Sequence, residues 1–133
     1  MTVAPETMRG PVQRAIEVCP VEVSMAVLGG AWKLSAVKYL LERTHRFGEL
    51  QRRLGAVTPR TLTRVLRDLE ADGIVVRTVY AEVPPRVEYS LTELGRSLDQ
   101  VVRWLDTWGN AYPGHVLDQP VSDDACVSPR AMP

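Results

Sequence analysis

The stretch TPRTLTRVLRDLEADGIVVR, residues 58–77, decides the fold of this chain. Thr58 is placed to accept a hydrogen bond from a free backbone N–H as an N-cap, and Pro59 at the first helical position needs no donor. Gly73 is a C-terminal stop. Between them, apolar residues recur at helical spacing, namely Leu62, Val65, Leu66 and Leu69. The stretch predicts a helix that begins at Pro59 and is followed almost at once by a β-strand.

The face opposite this apolar stripe carries arginines. At 100° per residue, Arg60, Arg64 and Arg67 fall within about 60° of one another. On an arbitrary amphipathic helix, such a row is most simply a solvated face. Here the first acid of the helix is Asp68. The lack of interspersed acid favours a binding surface.

Positive charge is concentrated around this helix, although the chain as a whole is neutral. Its 16 basic and 16 acidic side chains give a formal net charge of zero, which by itself argues against a nucleic-acid partner. Between Arg46 and Arg67, however, there are six arginines and one acid, Glu49, so the local charge is six minus one, or +5. The distribution of charge therefore matters more than its sum.

A second amphipathic helix precedes the first. In FGELQRRL, residues 47–54, three apolar residues recur at i, i+3 and i+7 as one buried stripe: Phe47, Leu50 and Leu54. Gly55 ends this helix. Because a short AVT segment alone separates it from Pro59, the two helices are predicted to be joined by a tight turn.

The chain before this pair is also predicted to be helical. A weak helical pattern begins near Val12, and a short helix ends at the glycine pair 29–30. Residues 32–43 form the next helix, and residues 45–46 are expected to be only a brief connection.

Two strands and a last helix are predicted after residue 73. GIVVRTVY and RVEYSL are rich in β-branched and aromatic residues and are separated by AEVPP, which predicts a hairpin with a proline-stiffened loop. Thr92 caps one final helix, ELGRSLDQVVRWLDTWGNAY, in which Leu94 and Leu98 are expected to pack in the domain's own core. The remaining apolar stripe is more naturally buried by a second copy of the chain. These candidates for a dimer interface are Val101, Val102, Leu105 and Trp108.

Together these elements predict a mainly α fold with a small β-hairpin (α+β). Their order is that of a winged helix-turn-helix, with N- and C-terminal helices forming a dimer interface. Residues 12–112 form the domain, residues 1–11 are expected to be loosely ordered, and residues 113–133 to form a flexible tail. The length of 133 residues, with 45% hydrophobic and 24% charged, suits one soluble domain.

No residue pattern indicates a membrane segment, a reaction or a cofactor. No apolar run approaches the roughly 18 residues of a spanning helix, and the N-terminus lacks the apolar stretch of a signal peptide, so a cytoplasmic location is expected. Cys19 and Cys126 show no CxxC spacing, which predicts neither a disulfide framework nor a zinc site. Neither histidine, His45 or His115, has acids or cysteines at metal-ligand spacing. We expect no enzymatic activity, no metal and no cofactor.

Four stretches of the sequence resemble the HxlR-type transcriptional regulators, relatives of the MarR-like winged-helix proteins. They are CPVEVSMAVLGGAWKL, RFGELQRRL, TPRTLTRVLRDLEADGIVVRTVY and VPPRVEYSLTELGRSL, in the family's order, and the resemblance covers residues 19–112. It implies a homodimeric regulator that binds double-stranded DNA, with the helix from Pro59 in the major groove and residues 81–86 as the wing. Two-fold pairing would place the two reading helices about one DNA turn, roughly 34 Å, apart on an inverted repeat.

The candidate DNA contacts form three groups. The reading helix offers Thr58, Arg60, Thr61, Thr63, Arg64 and Arg67. The wing offers Arg77 and Arg86, although simple exposed charges on a hairpin would explain these two equally well. On or near the preceding helix, Arg46, Gln51 and Arg52 are candidates for phosphate contacts.

Control of such a regulator stays open at this stage. Members of the family with a cysteine before this proline include sensors of oxidants and electrophiles, and Pro20 at a helix start would put Cys19 where the helix dipole favours a thiolate. A buried, inert Cys19 is an equal alternative. A small-molecule effector is another means of control. A winged-helix module for protein interaction or ligand binding, without sequence-specific DNA binding, is the rival class of function.

Overall fold

Helices make up most of the chain, and three short strands form one small sheet. The computed structural model describes residues 8–117. Within that range the elements are α1 (Gly10–Ile16), α2 (Pro20–Leu28), α3 (Lys33–Glu42), β1 (His45–Arg46), α4 (Phe47–Leu54), α5 (Pro59–Ala71), β2 (Val75–Tyr80), β3 (Arg86–Leu91), α6 (Glu93–Arg96) and α7 (Asp99–Leu117). The mainly α fold with a small antiparallel sheet is confirmed. Cys126 and most of the expected tail lie outside the described residues.

Helices α4 and α5 form the predicted helix-turn-helix. Thr58 Oγ1 accepts a hydrogen bond from Thr61 N at 3.1 Å and Pro59 opens α5, so the predicted start of the helix is confirmed. Gly55 and Gly73 have φ angles of 81° and 77°, a left-handed conformation that glycine adopts at little cost where a helix must end. The apolar side chains of α5 are all buried, namely Leu62, Val65, Leu66 and Leu69.

The hairpin carries a third strand that the sequence did not predict. The sheet order is β1-β3-β2, and both pairings are antiparallel. His45 pairs with Tyr89 and Arg46 with Glu88, so the expectation that residues 45–46 form only a connection was wrong. Two residues are too few to show the period-two alternation of a strand. The consequence is that the segment entering α4 is fastened to the hairpin.

The single helix predicted after Thr92 is two helices. Thr92 Oγ1 accepts a hydrogen bond from Gly95 N at 3.0 Å, which confirms the predicted cap. Yet α6 ends at Arg96 and α7 begins at Asp99. The hydroxyl of Ser97 donates to a backbone carbonyl of the preceding turn at 2.5 Å, a local bond that competes with continuation of a helix.

The break between α6 and α7 changes which apolar residues are buried. Leu98 packs against the core, as expected, whereas Leu94 is 44% exposed, so its predicted core position was wrong. A Cβ on Gly95 would lie 2.3 Å from the carbonyl oxygen of Ile74, and only glycine permits this close approach of α6 to the start of β2. Helix α7 then runs to Leu117, with a proline inside it.

The first two helices form an antiparallel hairpin of their own. Arg9, which precedes α1, donates from Nη2 to the carbonyl oxygen of Ala26 at 3.0 Å, so the start of α1 lies beside the end of α2. The main core takes Leu28 from this hairpin, while Val12 and Ala15 are buried outside that cluster. The helical hairpin is therefore a separately packed unit attached near the end of α2.

No helix within residues 8–117 is long and apolar enough to cross a membrane.

Candidate nucleic-acid interface

The arginines of α5 are exposed on the side opposite its buried leucines. Arg60, Arg64 and Arg67 all lie at the surface, and no other side chain of residues 8–117 pairs with any of them. Asp68, the first acid of the helix, lies 3.3 Å from Lys33 Nζ instead. The three guanidinium groups, which we call the arginine row, therefore present positive charge that the described part of the chain leaves uncompensated.

The threonines at the start of α5 are ordered by short-range hydrogen bonds. Thr58 Oγ1 donates to Thr61 Oγ1 at 3.0 Å, and Thr63 Oγ1 donates to the carbonyl oxygen of Pro59 at 2.8 Å. The hydroxyl proton of Thr61 and the lone pairs of the Thr63 oxygen are left for a ligand. The structure thus places these polar groups at the same end of α5 as Arg60, as predicted.

The predicted contacts around α4 differ in their freedom. The side chain of Arg46 is exposed, and its backbone N donates to Glu49 Oε1 at 2.9 Å. Arg52 is exposed too. Gln51 is half-buried, and its Nε2 lies 3.4 Å from the carbonyl oxygen of Val57, so it supports the turn between the two helices. Of the three, the two arginines are therefore the better placed to meet a phosphate.

A basic cavity beside α4 was not predicted from the sequence. It has a volume of about 360 Å³ and is lined by Tyr39, Arg43, Glu49, Arg52 and Arg53. Arg43 Nη1 lies 3.3 Å from Glu49 Oε2, and the guanidinium carbon of Arg53 lies 4.2 Å from the centre of the Tyr39 ring. Because these side chains come from α3, from the residue that follows it and from α4, sequence spacing along either helix gives no sign of the cluster.

The two wing candidates, Arg77 and Arg86, differ in whether an acid pairs with the guanidinium group. Arg77 is exposed, and no acid of residues 8–117 pairs with it. Arg86 lies 3.2 Å from Glu82 Oε1 and 3.4 Å from Glu88 Oε1, and its guanidinium carbon is 4.0 Å from the centre of the Tyr80 ring. Two carboxylates surround one guanidinium, so the positive charge of Arg86 is already neutralised within the wing.

A buried histidine joins the entry of α4 to the sheet. His45 is 1% exposed; its Nδ1–H donates to the carbonyl oxygen of Arg43 at 2.9 Å, and its Nε2 accepts from Arg53 Nη1 at 3.3 Å. Burial lowers the pKa of His45 below its ordinary value, and the charges of the two arginines act in the same direction. The lowered pKa favours the neutral imidazole, whose Nε2 accepts the hydrogen bond from Arg53. Arg53 also pairs with Glu42, and this hydrogen bond lowers the pKa of Glu42.

Cys19 lies at the turn of the helical hairpin formed by α1 and α2. It is the half-buried N-cap residue of α2, it is a free thiol, and its side chain makes no capping hydrogen bond. Beside it, a cavity of about 390 Å³ opens between the two helices. Two charged side chains, Arg14 and Glu22, line the cavity, and its other lining residues are apolar: Pro11, Ala15, Val18, Met25 and Ala26.

Helix α7 presents an apolar face to solvent. Of the four predicted interface residues, Val101, Leu105 and Trp108 are exposed, whereas Val102 is 8% exposed and belongs to the subunit's own core. Trp108 stacks on Tyr112 with ring centroids 5.1 Å apart. Further apolar residues on α7 and on the helical hairpin are exposed as well: Trp104, Val116, Ile16, Val18, Val21 and Met25.

Comparison with known proteins identifies the family of this helix-turn-helix. Residues 27–116 match the HxlR-like helix-turn-helix family. The chain belongs to this family. The HTH-type transcriptional regulator YybR of Bacillus subtilis (strain 168) is 48% identical over 95 residues, covering 71% of this chain and 76% of YybR. Among solved structures, the redox regulator HypR in its reduced form has a TM-score of 0.71 and 44% identity, covering 76% of this chain and 100% of that chain.

The HxlR-like family places this protein in a functional class. It is a transcriptional regulator with a helix-turn-helix domain, and the members of this class are not enzymes. The resemblance predicted from four sequence stretches is therefore confirmed. Within residues 8–117 no group of three or more potential ligand side chains is placed to hold a metal ion. The match begins at residue 27, so Cys19 and most of the helical hairpin precede the matched part of this HxlR-like chain.

Proposed function

We propose that this HxlR-like regulator acts in the cytoplasm by binding an inverted-repeat operator in double-stranded DNA as a homodimer. The observation that carries this proposal is the arginine row of α5. Its three charges lack partners among the described residues, and the opposite face of the same helix is held in the core. A helix fixed on one side and cationic on the other suits insertion into the major groove, whose guanine edges accept two hydrogen bonds from one guanidinium.

The other predicted contacts take supporting roles in this proposal. Arg46, Arg52 and Arg77 are exposed and are assigned to phosphates, which fix the position of a protein on DNA without reading sequence. Thr58, Thr61 and Thr63 stand at the start of α5, where hydroxyl groups reach base edges or phosphates. Gln51 holds the turn between α4 and α5. Arg86 contributes little net attraction, because Glu82 and Glu88 neutralise it.

The homodimer rests on the exposed apolar surfaces of the terminal helices. Trp104 and Trp108 are 68% and 66% exposed, and contiguous exposed apolar surface on a small domain marks an interaction site. A second copy of the chain offers the same surface and buries both by two-fold symmetry. This arrangement presents two copies of α5 to one face of the DNA, about one helical turn apart.

Two means of control fit the region around Cys19. The thiol lies at the turn between α1 and α2, where oxidation or reaction with an electrophile would alter the position of the helical hairpin. The similarity to the redox regulator HypR supports a thiol switch at this residue. The neighbouring cavity of about 390 Å³ has the volume of a small-ligand site, which is the alternative.

Selection of bound fragments from genomic DNA, with and without oxidant, tests the proposal. We expect enriched fragments to share two inverted half-sites whose centres are 10 to 11 base pairs, about one turn, apart. We further expect oxidant to reduce the recovery of these fragments if Cys19 is the switch. Recovery of no enriched sequence, or of single half-sites without an inverted partner, contradicts the proposed function.

A further inference from the structure

A compact ion-pair cluster joins the start of the chain to the end of α5. Arg9 donates from Nε to Asp72 Oδ1 at 2.9 Å and from Nη2 to Asp72 Oδ2 at 2.6 Å. Its Nη1 lies 3.9 Å from Asp68 Oδ2, and Lys33 Nζ lies 3.3 Å from the same oxygen. The Asp72 side chain is only 5% exposed. Two cations and two carboxylates thus form a neutral group that ties α1 and α3 to the last turn of α5.

The position of the cluster allows it to hold the helical hairpin against the end of α5. Arg9 reaches Ala26 O on α2 as well as Asp72 after α5, so one guanidinium bridges both helices of the hairpin and the helix-turn-helix. The apolar connection between the hairpin and the main core runs through the end of α2, where Leu28 is buried in that core and the half-buried Val27 packs against it. The connection to α3 also passes through left-handed residues, Gly30 and Trp32, with φ angles of 86° and 80°.

We propose that Arg9 is a positioning residue, whose bidentate bond to Asp72 fixes the helical hairpin on α5 and so sets the orientation in which the arginine row meets DNA. The inference rests on the proposed DNA binding. The arginine row lies on α5 and Asp72 is the residue that caps the C-terminal end of this helix, so a shift of that end would also move the N-terminal end, where the row begins. Cys19 stands at the opposite end of the hairpin from Arg9, and displacement of that turn would reach α5 through this bond.

The ion pair with Arg9 also offsets the unfavourable electrostatics of the Asp68 and Asp72 carboxylates. Asp68 and Asp72 are four residues apart, a spacing at which like charges repel on a helix. Asp72 also stands at the helix C-terminus, where the dipole disfavours an anion. Without Arg9, a nearly buried carboxylate would lose its cation, and breaking one partner of such a pair is strongly unfavourable. The end of α5 is then expected to move until Asp72 reaches water.

The test compares Arg9→Gln, Asp72→Asn and the double variant with Arg14→Gln, which removes the same charge from an exposed position of α1. The probe is a duplex recovered in the genomic selection, and affinity is measured below the melting temperature of every variant. We expect Arg9→Gln to weaken binding by about tenfold, in line with coupling energies of contacting residues. Adding Asp72→Asn removes the buried charge and is expected to restore affinity to within about threefold of the parent. Arg14→Gln should bind like the parent.

Hydrogen exchange separates positioning from simple stability. In Arg9→Gln, the amides in the last turn of α5 are expected to exchange faster than in the parent, and the double variant should recover part of this protection. A variant that melts earlier yet binds the duplex with parental affinity shows a structural role only and overturns the inference. Parental binding by Arg9→Gln with unchanged exchange overturns it too. The two proposals fail in different ways. If the parent binds the duplex and Arg9→Gln binds it equally well, only the positioning role of Arg9 is wrong; if the parent binds no duplex, the proposed DNA binding itself is wrong.

Discussion

Replacement of Arg64 by alanine separates DNA binding from folding more sharply than any other single change. The side chain is exposed and unpaired within the described residues, and alanine is a strong helix former. The free energy of unfolding should therefore change by no more than about 0.5 kcal/mol. A bidentate contact with a guanine contributes about 1–3 kcal/mol. A homodimer loses two such contacts, about 2–6 kcal/mol, so affinity should fall by roughly 30-fold or more.

Fluorescence anisotropy with a labelled operator duplex measures this loss, and thermal melting of the free protein checks the fold. If Arg64 reads a base, the variant should also accept other base pairs at one position in each half-site. If it contacts a phosphate instead, the loss should be uniform across sequences, and the salt slope should fall by about 0.9 for each lost contact. Arg14→Ala, an equal loss of charge on α1, is the control. Parental affinity and specificity in a folded Arg64→Ala variant refute the assignment of α5 as the reading helix.

Three further predictions concern assembly, pH and redox control. Leu105→Asp places a charge on the exposed face of α7, and desolvating it against a second copy costs several kcal/mol; we expect a monomer by light scattering, while Val79→Asp on the exposed sheet leaves the dimer intact. If the Leu105→Asp variant is still a dimer, α7 does not form the interface. Because the pKa of His45 is lower in the folded chain than its unfolded value of about 6.5, the unfolded state binds more protons, and stability should fall as pH drops below that value. His45→Asn should flatten this part of the melting profile, and parallel profiles of parent and variant contradict the assignment. Cys19→Ser should abolish oxidant-driven release of DNA while Cys126→Ser keeps it; release by both variants alike rules out Cys19 as the switch.

The parts of the fold that depend on local patterns were predicted from the sequence. The start of α5 follows from the Thr58 cap and Pro59, because capping involves only residues of the first turn. The face that α5 buries follows from the spacing of its leucines. The two long strands follow from their β-branched composition. Strand β1 was missed because two residues have no period. The end of α6 was missed because neither glycine nor proline stands between Arg96 and Asp99, where the helix breaks and the Ser97 side chain bonds to the preceding turn.

The properties of the candidate site that depend on distant residues were not predictable. Arg9 and Asp72 are 63 positions apart, and no spacing rule connects them. Val102 lies on the same predicted stripe as Leu105, yet Val102 is buried in the core and Leu105 is exposed, a difference that the helical period alone does not give. Arg86 is different, because both acids that neutralise it, Glu82 and Glu88, are close in sequence. Assignment of the three residues to one hairpin is therefore enough to predict this pairing.

In the proposed complex, two subunits place the arginine rows of their α5 helices on one inverted repeat. The most direct measurement is a titration, followed by anisotropy at several salt concentrations, of a duplex that carries both selected half-sites against one that carries a single half-site. We expect saturation at two protomers per duplex, weaker binding to the single half-site, and affinity that falls steeply as salt rises. Saturation at one protomer, equal affinity for a scrambled duplex, or affinity independent of salt would contradict it.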